Sequence, residues 1–534
     1  MDIKKFFTYT PDTVTNFNIK EASFDNKFTP QENSGGHELG SNYRQNLKLL
    51  SQELCKGKSG DLKTREFTVR IKERDVSATI FYIDGLVNKQ LINDFILKPL
   101  MLTSRQIAID SFRSVYDILL PQCEATETNL LGELSFNINF GSVLLLVDGM
   151  RHIISLDVKG WQHRGVESPQ TERVIRGPND AFSEQLRENT ALIRHIIRNK
   201  SLVSSEFSVG KISQTPVSVM YIENIANDSL VNQTIERIKE IDVDYIFAAA
   251  EIEQFIEDKT LSTLPQFLST ERPDRAAKAL LDGKLVIVVD GSPFVTILPT
   301  TFFELNESAE DNYLRFPYVN MIKTVRWIAF LLSLLLPGVY IAIVNFHTEL
   351  LPTDILLSII SSREKVPFPT IIEIIILELS LEIIREAAVR VPEASGSTLS
   401  IVGALILGQA AVSASIVSPI LIIVVSLTAI GSFATPNYYL GLSARLLRFI
   451  YILLGAIGGF LGITVGACIN VLRWTTVKSM GIPMAAPFAP LTKGDVPAVY
   501  LPPIWKNEYR DDFLNTKRKR KQPHISRKWF SKNR

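Results

Sequence analysis

From Ala394 to Ala444 the chain carries no Asp, Glu, Lys or Arg, although those four types make up 21% of its sequence. Inside this stretch SIVGALILGQAAVSASIVSPILIIVVSLTAIGSF, residues 400–433, is written for hydrocarbon. A bilayer core asks for about 20 mainly apolar residues per helical crossing, so the block supplies one long crossing or two short ones. It divides near Ser418-Pro419 into a small, polar first half and an aliphatic second half. In the first half Gly403, Gly408, Gln409, Ser413 and Ser418, followed by Pro419, have two readings: close helix–helix packing, or the lining of a water-filled path.

Three further segments suit a membrane. TVRWIAFLLSLLLPGVYIAIVNF, 324–346, has Trp327 and Tyr340 suited to interfacial positions. Pro337 in its middle predicts a kink whose freed carbonyl a neighbouring helix must cover. TIIEIIILELSLEIIREAAVRVPEA, from Thr370, is both apolar and charged, and RLLRFIYILLGAIGGFLGITVGACINVLRW, 445–474, is rich in small residues. Spans near 324–346, 369–390, 399–432 and 446–472 make four, which puts both termini on one side. Flanking Lys and Arg assign that side to the cytoplasm, with Arg445 and Arg448 opposing the assignment. The tail 476–534 ends in Lys517, Arg518, Lys519, Arg520, Lys521, Arg527, Lys528, Lys532 and Arg534 with no acid among them, a segment suited to an anionic inner leaflet.

The charged helix contains the chemistry. A charge at the centre of a spanning helix costs roughly 2.5–3.5 kcal/mol on insertion scales, so its carboxylates cannot all face lipid. Glu378, Glu382 and Glu386 recur every four residues and form one stripe. Glu382 with Arg385 and Glu386 with Arg390 are at helical pairing distance. The stripe either faces the inside of an oligomer, attracting cations together with Gln409 and Ser413, or belongs to an amphipathic helix on the membrane surface.

The polar front of the chain reads as a soluble α/β body. Residues 1–62 are expected to be flexible, with a short helix over Tyr43–Leu54. Then REFTVRIKERDVSATIFYIDG gives two β-type runs and LVNKQLINDFILKPL a helix. A sentence is written twice: YIDGLVNKQLIN from Tyr82 returns as YIENIANDSLVN from Tyr221, and LLLVDG ending at Gly149 returns as VIVVDG ending at Gly291. The near-equal offsets imply a tandem duplication, with α/β subdomains over 63–160 and 205–305. The connection 161–204 carries Arg164, Glu167, Glu172, Arg173 and Arg176, which have two readings: a functional site, or, preferred here, ion pairs that lock the subdomains together. It then carries an amphipathic helix capped by Asn179 or Asp180, with Phe182, Leu186, Ile193, Ile196 and Ile197 on one face. The fold class is thus an α/β soluble region of two duplicated subdomains followed by an all-α multi-pass transmembrane domain over 320–475.

Several functions find no support. With 57 basic and 56 acidic residues there is no global case for nucleic acid. Cys55, Cys123 and Cys468 make neither a disulfide framework nor a zinc spacing. The six histidines lack metal-ligand spacing, and no P-loop, GxSxG or HExxH is present. No enzyme, cofactor or metal is expected.

FYIDGL at 81–86, VDG at 147–149, GVESPQTERVIRGPNDAF at 165–182, PFPTIIEIIILELSLEIIREAAVRVP at 367–392 and SIVGALILGQAAVSASIVSP at 400–419 stand in order along the chain. In these motifs the sequence resembles the A-type subunit of bacterial spore germinant receptors, over about residues 65–495. The resemblance implies a multi-pass protein of the spore inner membrane with a cytoplasmic N-terminal domain and C-terminal tail. It also implies partnership with a transporter-like B-type subunit and a lipoprotein C-type subunit, and a homo-oligomeric, channel-forming role in nutrient-triggered germination. The alternative is a non-conducting membrane-anchored scaffold or signal-relay subunit. The resemblance assigns no catalytic residue.

Overall fold

The computed structural model describes residues 39–40, 42–54, 57–71, 74–103, 115, 125–150, 152–160, 168–390, 408–489, 500–524 and 526. Chain order in the first subdomain is α1 (Tyr43–Glu53), β1 (Leu62–Ile71), β2 (Arg74–Ile83), a helical run through Ile92–Leu97, β3 (Ala125–Thr128), α2 (Leu131–Asn139), β4 (Ser142–Val147) and β5 (Ile153–Asp157). After α3 (Leu186–Ile196) the second subdomain has β6 (Leu202–Val209), β7 (Thr215–Ile222), α4 (Asp228–Lys239), α5 (Ala249–Ile256), β8 (Leu268–Thr270), α6 (Pro273–Asp282), β9 (Leu285–Val289) and β10 (Val295–Leu298).

The sheets have one topology used twice, β1-β2-β4-β5-β3 and β6-β7-β9-β10-β8, antiparallel throughout. The repeated sequences explain why. Asn88 and Asn227 stand at the same position in the two copies of the first motif, and each caps the helix that follows, accepting from Gln90 N and Leu91 N or from Ser229 N. The two VDG motifs turn the β4–β5 and β9–β10 hairpins, where Gly149 and Gly291 take φ of 84° and 85°, a conformation only glycine adopts without strain.

The helix expected to start at Asn179 or Asp180 starts instead at Leu186. Its N-cap, Gln185, contributes no side-chain bond. The cap is tertiary: Leu186 N donates to Asp290 Oδ1 of the second VDG turn at 3.0 Å, and Asn189 holds Ser183 N and O at 2.8 and 2.6 Å. Phe182, Leu186, Ile193 and Ile197 are buried as their spacing suggests, whereas Ile196 is exposed.

Arg194 of α3 crosses to the first subdomain. Buried Asp61 accepts from Arg194 Nε at 2.5 Å and Nη2 at 3.0 Å, while Arg194 Nη2 also donates to Ser59 Oγ and the Leu202 carbonyl. Burial by itself would raise the Asp61 carboxyl, but the Arg194 charge and hydrogen bonds hold it below its ordinary value. Gly60 N donates to the Ser204 carbonyl at 2.9 Å, so the strand approach joins the subdomains as well.

The C-terminal region is helical, with α7 (Phe316–Phe346), α8 (Thr353–Arg363), α9 (Thr370–Arg390), α10 (Pro419–Phe433) and α11 (Tyr438–Thr476). By length and composition α7 and α11 could each cross a membrane. The expectation of one final span over 446–472 gives way to a hairpin. Gly459 is non-helical within α11 (φ 54°, ψ −138°). A Cβ on Gly462 would lie 2.2 Å from the Leu454 carbonyl, and Asn470 Nδ2 donates to Tyr451 Oη at 3.3 Å. In a straight helix residues 451 and 470 would be about 28 Å apart, so α11 is an outgoing leg and a returning leg, about 31 and 25 Å long at 1.5 Å per residue.

The outgoing leg runs parallel to α7, since Gly338 lies against Tyr451 and Gly455, and Gly459 against Phe346. α10 runs opposite, with Gly431 against Ala329. Both α7 and the return leg have their other ends at the α/β region, where Phe302 packs on Trp327 and Trp474 with ring centroids 5.2 and 4.9 Å apart. The chain therefore enters and leaves the bundle at one end.

The described part of the basic tail lies against the α/β region, while Arg527, Lys528, Lys532 and Arg534 lie outside the described residues. Lys517 Nζ donates to Asp228 Oδ1 at 2.6 Å and the Glu223 carbonyl at 2.8 Å, Lys521 pairs with Asp282, and Arg510 Nε donates to the Leu281 carbonyl. Leu501 and Asn320 exchange two hydrogen bonds. Carboxylates and free carbonyls at the ends of α4 and α6 thus make segment 500–524 a strap from α7 to the second subdomain. Within it Asp511 is pushed up to about 7 by burial, then by Glu304 and Asp282, against Lys284 and Lys521.

Asp61→Asn, which strands Arg194 unpaired in the interior, should lower stability by about 3–5 kcal/mol, read as a fall in the thermal unfolding midpoint of the full chain in detergent. Asp61's own contribution is present above its unfolded pKa and disappears as pH falls through its depressed folded value. Asp511 acts with the opposite sign: its folded value is raised, so strap stability is greatest below the unfolded pKa and declines as pH rises through about 7. Hydrogen exchange of 500–524 should therefore accelerate on going from about pH 5 to about pH 8 after correction for intrinsic rates, and Asp511→Asn should remove that dependence.

Candidate functional site

The bundle's charges meet where α7, α9 and α11 cross. Pro337 has no N–H, so the carbonyl of Ser333 one turn earlier loses its helical donor. Arg448 supplies one: its Nε donates to the Ser333 carbonyl at 2.7 Å. The same guanidinium, through Nη1, donates to Glu378 Oε2 of α9 at 2.6 Å. Arg448, Glu378 and Ser333 are all buried. One side chain from α11 therefore neutralises a carboxylate of α9 and repairs the proline break of α7.

Nearby, Arg445 Nη1 donates to Glu382 Oε1 at 2.6 Å, and Arg385 Nη1 donates to Glu382 Oε2 at 3.2 Å. Arg385 Nη2 also reaches Ser432 Oγ of α10 at 3.2 Å. Glycines permit the crossing: a Cβ on Gly338 would sit 2.7 Å from the Tyr451 carbonyl, and one on Gly455 2.5 Å from the Gly338 carbonyl. Backbones that close leave little room except for backbone and small side chains.

At the far end, Glu373 of α9 caps α10 from outside its own chain segment, accepting from Ser418 N at 3.1 Å. Arg363 Nε stands 3.7 Å from its other oxygen. The division expected near Ser418-Pro419 is visible here: Ser415 has φ of 54°, Ser418 is extended, and Pro419 opens α10 as its first residue.

The residues singled out from sequence fall in different places. Glu378 is turned into the bundle, Glu382 is half-buried between Arg385 and Arg445, and Glu386 is exposed. Gln409 and Ser413 are exposed on the bundle surface. Gly408 has nothing within 4 Å of an added Cβ, and Gly403 lies outside the described residues, as do Arg164 and Glu167. Arg176 is exposed. In the connection it is Glu172 that engages, accepting from Thr270 and Arg275, while Glu271 accepts from Thr171 N and Oγ1 at 2.6 and 2.8 Å. Arg275 donates onward to the Glu307 carbonyl, and Lys323 of α7 pairs with the Glu307 side chain. A line of polar contacts thus runs from the connection to the base of α7.

Arg445 and Arg448 are the functional residues that sequence reasoning missed as partners. They appeared only as exceptions to the charge rule for orientation. The signal was present: two arginines inside an apolar helix need carboxylates within the bundle, and α9 is where the carboxylates are.

A duplicated α/β body set on an apolar helical bundle, with charges neutralised between helices, defines a class of multi-helix protein, two of whose helices are long and apolar enough to cross a membrane. The chain belongs to the family described as Bacillus/Clostridium GerA spore germination protein, whose profile matches residues 48–513. Spore germination protein KA of Bacillus subtilis (strain 168) is 37% identical over 468 residues, 87% of this chain and 86% of that protein. Spore germination protein GerLA of Bacillus cereus is 33% identical over 490 residues, 90% of this chain and 97% of that protein. Among solved structures, the N-terminal domain of the A subunit of the Bacillus megaterium spore germinant receptor GerK3 aligns at 30% identity with a TM-score of 0.40, covering 50% of this chain and 98% of that one.

Arg448→Leu should destabilise the bundle by about 3–5 kcal/mol, because it leaves a buried carboxylate uncompensated. Adding Glu378→Leu to Arg448→Leu should recover part of the loss. Thermal unfolding of the detergent-solubilised chain measures both, and additive losses would contradict the pairing.

Proposed function

We propose that this chain is the A-type subunit of a nutrient-responsive germinant receptor and that it conducts cations when the receptor is occupied. In this reading it lies in the spore inner membrane with the α/β region and the strap in the cytoplasm, and works with a transporter-like B-type subunit and a lipoprotein C-type subunit. Several copies form the conducting unit. Family membership supports the place in germination. The observation that carries the conducting part is that Glu386, Gln409 and Ser413 are exposed on a bundle whose surface is mainly apolar, since polar groups facing lipid are costly and mark water-filled surfaces.

On this reading the carboxylates divide in role. Glu378 and Glu382, already neutralised by arginines, hold the helices in register. Glu386, with Gln409 and Ser413, faces the shared path of the oligomer and favours cations. Nutrient occupancy in a partner acts by shifting a closed-to-open equilibrium, which requires differential contact with the two states.

The test is cation flux from liposomes carrying the chain alone and with its partner subunits. Glu386→Gln and Gln409→Ala should lower nutrient-triggered flux without changing assembly, whereas Glu378→Gln should change assembly and stability first. Absence of flux above empty liposomes in every combination would instead support the non-conducting scaffold.

A further inference from the structure

The second subdomain touches the helices through a loop, residues 257–264, between α5 and β8. Its shape is set from within. Buried Gln266 accepts from Asp258 N and Lys259 N at 2.9 and 3.2 Å and donates through Nε2 to the Lys259 carbonyl at 2.7 Å. Ser262 Oγ accepts from Leu264 N at 3.1 Å, and Leu264 is buried. The loop is also tied to both legs of α11: Ser443 Oγ donates to the Thr263 carbonyl, and Lys259 Nζ donates to Thr476 Oγ1 at 2.8 Å.

Out of this fixed frame Leu261 projects with 94% of its surface exposed. Singly exposed apolar side chains are common on protein surfaces, and what sets Leu261 apart is that its loop is tied to both legs of α11. Its level can be read from the tether. Ser443 is five residues past the start of α11 at Tyr438, about 8 Å along the helix axis, which matches the roughly 5–8 Å depth of one interfacial layer. Phe433 and Tyr438, both exposed, stand at the same end of α10 and α11, as aromatic residues do at a membrane boundary. The loop thus stands beside α11 at that end.

We propose that Leu261 is a membrane anchor of the α/β region, inserting at the boundary between headgroups and acyl chains beside the start of α11. The inference rests on the reading that the helical bundle spans a bilayer. Through Gln266 and the α5–β8 connection, the anchor would fix the height and tilt of the second subdomain on the membrane.

The test uses the full chain in lipid nanodiscs with Cys55, Cys123 and Cys468 replaced by serine and one spin label introduced by Leu261→Cys. Two reference sites are labelled in the same way: Ile457→Cys, 78% exposed on the outgoing leg of α11, and Ile212→Cys, 78% exposed on the β6–β7 turn at the opposite end of α5. Collision with oxygen against collision with a water-soluble nickel chelate is read at each site. The expected result is oxygen-dominated relaxation at 261, as at 457, and nickel-dominated relaxation at 212. Nickel-dominated relaxation at 261 with 457 still oxygen-dominated would overturn the anchor while leaving the spanning reading intact. Dipolar broadening at 261 would assign the leucine to a second copy of the chain and also overturn it. Nickel access at 457 would remove the spanning reading and the anchor together.

Discussion

The guanidinium of Arg448 is the fixed point of the helical region. Placing one charge in an apolar bundle is unfavourable, and placing a proline in the middle of a long helix is unfavourable too. Here the two costs offset each other, because the bare carbonyl left by Pro337 and the carboxylate of Glu378 are both acceptors, and Arg448 has donors for both. Three helices are thereby held in one register, and the glycines at 338 and 455 let the backbones come close enough for the arginine to reach. A lysine could not do this equally well, since it lacks the planar fork that serves two acceptors at a fixed angle.

The same economy of paired charge appears outside the bundle. Asp61 with Arg194 joins the two subdomains, Glu307 with Lys323 and Asp311 with Arg326 join the second subdomain to α7, and the basic strap returns to the acids at the ends of α4 and α6. A displacement of the α/β region therefore has a direct mechanical route to the base of α7, whose middle is gripped by Arg448. Coupling between the α/β region and the helical bundle needs an element with two arrangements, and the proline break of α7 with its borrowed donor is the natural candidate for that element.

Much of this was legible before any coordinates. The duplication was written in repeated motifs because each copy contains an asparagine that caps a helix and an Asp-Gly that turns a hairpin, and such local chemistry is carried by adjacent residues. The need of Pro337 for an outside donor was legible too. What the sequence left open lay between distant residues. The start of α3 depends on Asp290, about a hundred residues away, and the partners of Glu378 and Glu382 come from α11, 70 and 63 residues away. Helical spacing suggested Arg385 for Glu382, and that contact exists, but the shorter one is to Arg445. The turn at Gly459 was hidden because a run of small apolar residues reads the same whether it continues or folds back. Nor did the lysines of the tail reveal that acids on the α/β body would compete with lipid for them.

The central claim is that Arg448 repairs the Pro337 break, and a double-mutant cycle between Pro337→Ala and Arg448→Leu tests it most directly. Alanine restores an N–H at 337 that can bond the Ser333 carbonyl, so the arginine has one acceptor fewer to satisfy. Unfolding of the four proteins in the same detergent should then show Arg448→Leu costing less in the Pro337→Ala background, by about 1–3 kcal/mol, the usual penalty of an unsatisfied buried carbonyl. Equal cost in both backgrounds would contradict the account.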